Sequence, residues 1–491
     1  MIDRRNMLKF VGAGVAMMGT GSSSALGASE SSPIAWWSTT ADSAWQVPSR
    51  QARLTPAPTD LFEYDVMLAP PAQAMTGIGG AFSELGWQAL CSLGTEDRAE
   101  VLRLLFGASG AAFNLCRTPM GANDLARSWY SYDETADDFA LDHFSIDHDR
   151  QMLLPFIKAA QLVRPELKLW ASPWSPPTWM KTNRHYALTP AWPSVPSNGI
   201  RPDQIRQEGT DAFIQEDRYF DCYARYFRRY IEAYAALGVP IGAVMPQNEF
   251  NSPQSFPSCC WSPEGLARFL PFLGREMDKV GVDILFGTLE RANPELVTKV
   301  LQTAAARKHV KGIGIQWAGK GAIAELHRRY PDLALWGTEQ ECGVGVNDWH
   351  FARHGWELIK QYIRGGSSVW QYWQMVCAAP GTSTWGWRQN ALVSIDPVSR
   401  SFRLTPDYWV MRHLSARLVP GARFIPTNSI AGFEDQLVFR NPDGGHVVVI
   451  ANQMAVDQQV RLIFGSKQLA LNLPAASFNT IEIPSGLLPA T

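Results

Sequence analysis

The stretch Ile241-Gly242-Ala243-Val244-Met245-Pro246-Gln247-Asn248-Glu249-Phe250 decides the fold of this chain. A second stretch, Leu333-Ala334-Leu335-Trp336-Gly337-Thr338-Glu339-Gln340-Glu341-Cys342-Gly343, repeats its logic ninety residues later. In each, a short apolar run reads as a buried strand and runs straight into a carboxylate. Desolvating a carboxylate is costly or forces it to protonate, so chains keep such residues mainly where the carboxylate works. Working outward, strand-like runs recur at 77–82, 111–116, 167–174, 241–246, 283–288, 310–317, 333–338 and 367–374. Helical spacing lies between them, at 219–237, 263–280, 294–307 and 356–364. This α/β alternation fits a (β/α)8 TIM barrel better than an open doubly wound sheet. Barrel active sites lie at the carboxyl ends of the strands, and counting puts Glu249 after the fourth and Glu339 after the seventh. Two such glutamates point to the acid/base and nucleophile of a glycosidase.

Beyond a last helix at 406–418 the period changes to two, with strands expected at 431–440, 446–453, 458–464 and 478–483 and a hairpin turn at Asp443-Gly444-Gly445. This reads as a small β-sandwich, with 53–68 offering further strands. At the other end, Arg4-Arg5 precedes an apolar run at 11–18 and small residues at 22–28. That order is a twin-arginine export signal; the apolar run is far shorter than the roughly 20 residues a spanning helix needs. The expected organisation is a signal peptide over 1–28, sandwich strands within 29–72, a catalytic barrel over 73–420 and a sandwich over 421–491. The expected location is periplasmic or secreted, without stable membrane insertion.

Composition narrows the function further. The 491 residues are 46% hydrophobic and 18% charged, ample for a large core, and the net charge of −2 argues against nucleic acid as a partner. The seven cysteines follow no framework and read as core or loop thiols with room for one disulfide. Nine histidines show neither H-x-H nor H-E-x-x-H spacing, so no metal and no cofactor is expected, against the rival reading of a metal-dependent barrel hydrolase. The run Gly77-Ile78-Gly79-Gly80-Ala81-Phe82 is no dinucleotide loop, because Phe82 stands where the third glycine belongs. The 19 tryptophans fit a carbohydrate or glycolipid partner, whose sugar faces stack on indole rings. A non-catalytic carbohydrate-binding barrel is the other rival, and it would have no need of both glutamates. Nothing in the pattern specifies an oligomeric state.

Several segments together form a recognisable set. They are Gly77–Phe82 over the first strand, Arg117-Thr118-Pro119-Met120-Gly121 with Asp124 as the loop after the second, and Ala171-Ser172-Pro173-Trp174-Ser175-Pro176-Pro177-Thr178-Trp179-Met180-Lys181-Thr182-Asn183 over the third. Asn248-Glu249 and Thr338-Glu339 with Cys342-Gly343 complete the set. Together these segments resemble glycoside hydrolase family 30, which includes glucosylceramidases and bacterial and fungal β-glycanases, and the last is similar to its bacterial members. The resemblance implies a barrel with a sandwich made from both chain ends, and retaining hydrolysis of β-glucosidic bonds. β-Glucan, with a β-1,6 linkage among the candidates, and glucosylceramide-like glycolipids are the substrates it implies; β-xylosides, β-fucosides or β-galactosides are alternatives within the family. Glu249 is the implied acid/base and Glu339 the implied nucleophile, with Glu341 a rival two residues on. Asn248 is implied to meet the sugar 2-OH, Asp124, Trp174 and Trp373 to hold the terminal sugar, and Arg117 to order the nucleophile's surroundings. Gln316-Trp317-Ala318 stands where glucosylceramidase has His-Trp-Tyr, which leaves the support of Glu339 open and makes Gln316 a site candidate. Trp385, Trp387, Arg388 and Asn390 form an aromatic and polar loop that either lines the site or covers the barrel.

Overall fold

The computed structural model describes residues 34–49, 52–60, 65–430 and 432–488. The signal peptide expected over 1–28 lies outside the described residues. Eight parallel strands close a barrel: β1 (Gly77–Ala81), β2 (Leu115–Met120), β3 (Lys168–Pro173), β4 (Ala243–Val244), β5 (Asp283–Leu289), β6 (Val310–Gln316), β7 (Ala334–Glu339) and β8 (Ser367–Gln374), with β8 pairing β1. The glycines of β1 allow that closure. A Cβ on Gly79 would stand 2.1 Å from the Leu115 carbonyl oxygen and one on Gly80 2.5 Å from the Met375 side chain. The run is a close-packing device between neighbouring elements, not a phosphate loop.

Inside the barrel, Leu115, Trp170, Ala243, Met245, Leu285, Trp336 and Val369 form an apolar plug, with Trp170 and Trp336 edge to face at 6.0 Å. Polar residues begin one step higher: Arg117 follows Leu115 by two positions and Ser172 follows Trp170 by two, as strand alternation requires. Glu339 breaks the alternation. Counting from Trp336 it would face outward, but a register shift between Gly337 and Glu339 against β6 re-aims it.

Three expectations are corrected here. The second strand runs Leu115–Met120, not 111–116, so Arg117 lies in the strand and points into the barrel instead of sitting in a loop. The fourth strand shrinks from 241–246 to Ala243–Val244, because the chain leaves the ladder early and the Asn248 N–H bonds the Pro173 carbonyl at 2.8 Å. The helix expected over 294–307 divides into Glu295–Leu301 and Ala304–Arg307, with β-branched Thr303 in an extended conformation between them.

Two five-stranded sheets form the sandwich. One orders Ala35–Thr39, Ser477–Ile483, His446–Asn452, Gln436–Arg440 and Arg423–Ile425; the other orders Thr427–Ser429, Asp65–Leu68, Gln458–Phe464, Lys467–Leu473 and Arg53–Pro56. Lys467–Leu473 and the two short strands at 423–429 escaped the sequence reading. The strand expected over 431–440 is confined to Gln436–Arg440, residue 431 lying outside the described residues. Alternating apolar residues such as Val438, Val448, Ile450, Leu462, Leu469 and Ile481 fill the space between the sheets. The sandwich is fastened to the barrel by polar contacts that are buried or partly buried. His413 of the last helix bonds Thr480 at 2.9 Å and Thr39 at 2.8 Å, and Lys360 pairs with Asp435 at 2.6 Å. All seven cysteines are free thiols, so the disulfide allowed for is not formed.

Replacing Gly79 by alanine is expected to cost about 1–3 kcal/mol through overpacking against the Leu115 backbone. Thermal unfolding of Gly79→Ala should show a Tm several degrees below that of the parent; an unchanged Tm would mean that β1 is not held so closely.

Candidate active site

A cavity of about 350 Å³ opens at the carboxyl ends of the strands. Its walls include Asp124, Trp174, Asn248, Glu249, Glu339 and Trp373 from the expected set. Behind it lies Arg117, which is 0% exposed. Its Nη1 donates to Glu339 Oε2 at 3.0 Å, and its Nη2 donates to Asn248 Oδ1 at 2.7 Å and to Ser172 Oγ at 2.8 Å. The guanidinium lies 4.3 Å from the Trp174 ring centroid, 4.7 Å from that of Trp170 and 5.6 Å from that of Trp373. Burial lowers its pKa to about 10, with the charges of Glu339 and Glu249 resisting that shift. Arg117 therefore carries charge in the wall and does not line the cavity; it touches Glu339 and no open space where a substrate would sit.

Gln316 lies at the end of β6, where Thr338 Oγ1 donates to its Oε1 at 2.9 Å. That bond fixes the amide so that Nε2 points at both glutamates, 3.3 Å from Glu249 Oε1 and 3.3 Å from Glu339 Oε2. Gln316 is thus a bridge beneath the two carboxyls. Trp317, with a left-handed φ of 49°, turns its indole so that Nε1 donates to Glu339 Oε1 at 3.0 Å. Arg117, Gln316 and Trp317 together supply the support that the sequence left open where Ala318 replaces the family tyrosine.

Glu249 is held differently. Its backbone has a φ of 45°, uncommon for a residue with a side chain, and its N–H donates to Thr288 Oγ1 at 3.0 Å. Its carboxyl accepts from Gln254 Nε2 at 3.1 Å as well as from Gln316. Burial raises the pKa of both glutamates. For Glu339 the adjacent guanidinium is the main opposing influence, whereas neutral amides do most of that work for Glu249. Arg117 donates directly to Glu339 and not to Glu249, so the guanidinium favours the charged form at Glu339.

Asn248 Oδ1 accepts from Arg117, Thr288 and Gln316, which leaves Nδ2 as the donor available to the cavity. Asp124 is pushed up to about 6 by burial; Gln389 donates to its Oδ2 at 2.8 Å, while Oδ1 has no side-chain partner among the described residues. Trp174 and Trp373 stack on one another at 5.4 Å, so each is both wall and packing.

The loop after β8 is only partly as expected. Trp387 and Gln389 line the cavity. Asn390 does not: its Oδ1 accepts from the backbone N–H groups of Gly345 and Asn347, bracing the neighbouring loop. Trp385 lines a second cavity of about 550 Å³ with Trp192, Val195, Val344, Val346 and Arg388; this cavity shares Phe256 and Trp387 with the first. Glu341 points elsewhere, to Lys320 at 2.5 Å and His354 at 2.8 Å. Glu290, Arg291, Ser252 and Gln254 line the site without having been picked out in the sequence. Only the end of β5 marks Glu290, and the strand expected over 283–288 stops short of it.

The model of the glycosyl hydrolase family 30 TIM-barrel domain matches residues 75–418. The chain belongs to glycosyl hydrolase family 30. Hydrolysis of glycosidic bonds is the reaction class of that family. Among its relatives, the lysosomal acid glucosylceramidase of Mus musculus is 24% identical over 410 residues, covering 78% of this chain and 76% of the relative. The endo-1,6-beta-D-glucanase neg1 of Aspergillus fumigatus is 25% identical over 435 residues, covering 84% and 86%. The solved structure of the endo-beta1,6-glucanase BT3312 superposes with a TM-score of 0.76 at 21% identity, over 92% of this chain and all of that one, a likeness of fold.

Glu341 is held at about 2, chiefly by its hydrogen bond to His354, against an ordinary value of 4.5. A depressed carboxylate contributes stability above its ordinary pKa and loses it as pH falls through the folded value. Glu341→Gln should therefore be less stable than the parent at neutral pH. In chemical denaturation the gap should close between pH 4.5 and about 2, while hydrolysis per folded molecule is kept. Loss of hydrolysis in this variant would return Glu341 to the list of nucleophiles.

Proposed function

We propose that this family 30 chain is a retaining β-glucosidase working by double displacement, with Glu339 as nucleophile and Glu249 as acid/base. One observation carries the reading: a single Gln316 Nε2 lies 3.3 Å from an oxygen of each carboxyl. Those two oxygens can be no further apart than twice that distance. Retaining pairs stand about 5–5.5 Å apart, inside that bound, whereas the roughly 6.5–9.5 Å that inverting pairs need to admit a water meets it only at its lower edge.

The environments divide the roles. Glu339, with Arg117 and the Trp317 indole upon it, is kept as the anion that attacks the anomeric carbon. Glu249, supplied mainly with neutral donors, keeps its proton and gives it to the glycosidic oxygen as that bond breaks. In the second half Glu249 takes a proton from water, whose oxygen displaces Glu339 from the sugar. Asn248 Nδ2 is placed to donate to the 2-hydroxyl, a contact that strengthens at the transition state. Asp124 receives a neighbouring hydroxyl. The second cavity, entered past Phe256 and Trp387, receives the aglycone. The relatives support a glucosidic bond in either of two settings, a β-1,6-glucan or a glucosylceramide-like lipid. Comparing rates on β-1,6-gluco-oligosaccharides and on glucosylceramide in detergent decides between them. The leader Arg4-Arg5 with its apolar run supports twin-arginine export to the periplasm or beyond. Replacing both arginines by lysine should retain the protein in the cytoplasm of a bacterial host, as read by cell fractionation.

A 2-deoxy-2-fluoro-β-glucosyl donor should label Glu339, identified by mass spectrometry of the peptide; a label on Glu341, or none, would sink the assignment. Glu339→Ala should lose at least about 1,000-fold in kcat on all glucosides. Glu249→Ala should lose about 100- to 10,000-fold on poor leaving groups, and far less in the first step with activated aryl glucosides. Equal loss on both substrate kinds would remove Glu249 from the acid/base role.

A further inference from the structure

Glu290 follows β5 directly and lines the catalytic cavity, yet double displacement gives it no step. It is 4% exposed. Its Oε1 accepts from Arg291 Nη1 at 2.7 Å and from the Ser252 hydroxyl. Its carboxyl and that of Glu249 line the same cavity, within hydrogen-bonding reach of one another. An ionised carboxylate only accepts, so two carboxyls can be hydrogen-bonded only while one of them keeps a proton.

The surroundings say which one keeps it. Both oxygens of Glu249 are already supplied with donors, Oε1 from Gln316 and Oε2 from Gln254. Glu290 is supplied at Oε1 only. Arg291 does not compensate Glu290 fully, because Glu208 holds it at 3.0, 3.1 and 3.3 Å. The other charged or titratable groups near the pair are Arg117, Asp124 and Glu339 on the Glu249 side and the buried Cys260 thiol near Glu290. Burial, followed by the Glu249 charge, pushes Glu290 up to about 10.

We propose that Glu290 is a positioning residue which stays protonated through the cycle and donates a hydrogen bond to Glu249. This rests on Glu249 being the acid/base. The bond keeps the Glu249 proton directed at the cavity. When Glu249 passes that proton to the glycosidic oxygen, the bond becomes charge-assisted and steadies the carboxylate left behind. When Glu249 takes a proton from water in the second step, the bond returns to its neutral form. The proton of Glu290 itself never leaves. Glu290 thus makes Glu249 a stronger acid than its burial alone would allow.

The sign of a pH shift tests this. In kcat/KM for an unactivated aryl β-glucoside, the basic limb reports the pKa of Glu249 in the free enzyme. Glu290→Ala removes the donor, so the limb should move up by about one pH unit, with at least about a tenfold loss of kcat/KM. Glu290→Gln restores a neutral donor of the same shape, so the limb should return to the parent position and most of the lost rate should be recovered. If Glu290 is instead an anion paired with Arg291, both variants remove a like charge and both limbs move down, which overturns the proposal. Limbs unmoved in both folded variants overturn it as well, leaving Glu290 a packing group. Glu249→Ala separates the two readings. A basic limb that survives in it overturns the acid/base role and this proposal together, whereas a limb lost there but displaced downward in Glu290→Gln overturns the proposal alone.

Discussion

Everything at the site depends on one buried cation. Removing a guanidinium from water is very costly unless anions and acceptors meet it. Arg117 answers that demand with Glu339, Asn248 and Ser172, and its planar faces lie against tryptophan rings. Four barrel strands or their ends, β2, β3, β4 and β7, thereby converge on a single side chain. The planar fork is suited to this, since its donors leave in fixed directions and orient each partner. With Arg117 in place, Glu339 is the carboxyl with a reason to be charged, and the Asn248 amide has only one satisfactory orientation.

A gradient of surroundings follows across the cavity. Glu339 lies on the guanidinium side, Glu249 in the middle among neutral amides, and Glu290 at the far wall, where Arg291 is shared with Glu208. Three carboxyls so close together cannot all ionise, and their neighbours decide the order in which they do. The left-handed backbones of Glu249 and Trp317 belong to the same design. Each spends conformational energy to aim one side chain, and each is held by its surroundings: Glu249 through Thr288, Trp317 by the short helix that starts at it.

The legible parts of this structure were those with local causes. Apolar runs between helical patterns located all eight barrel strands, and Ser367–Gln374 came out residue for residue. Glu249 and Glu339 stood out because a carboxylate at the end of an apolar run has few bland explanations. Asp124, Trp174, Asn248 and Trp373 entered through resemblance and do line the cavity. Asn390 misled because a polar residue in a site loop can serve its own backbone, and Gln389 beside it meets Asp124 instead. Glu290 gave no signal beyond its place after β5, because its significance is its nearness to Glu249, forty-one residues away in sequence.

By itself, the sequence determined the barrel, the presence of a sandwich and the identity of the two central glutamates, since hydrophobic period and the cost of burying charge are properties of short segments. The tertiary structure alone decided how those glutamates differ. Gln316 bridges them, Arg117 and Trp317 donate to one, and Gln254 donates to the other, through contacts between residues on different strands and loops. A register shift of one position in β7 turned Glu339 inward. Pairing geometry and electrostatic environment arise only when distant segments meet, and they are what give two like residues unlike surroundings.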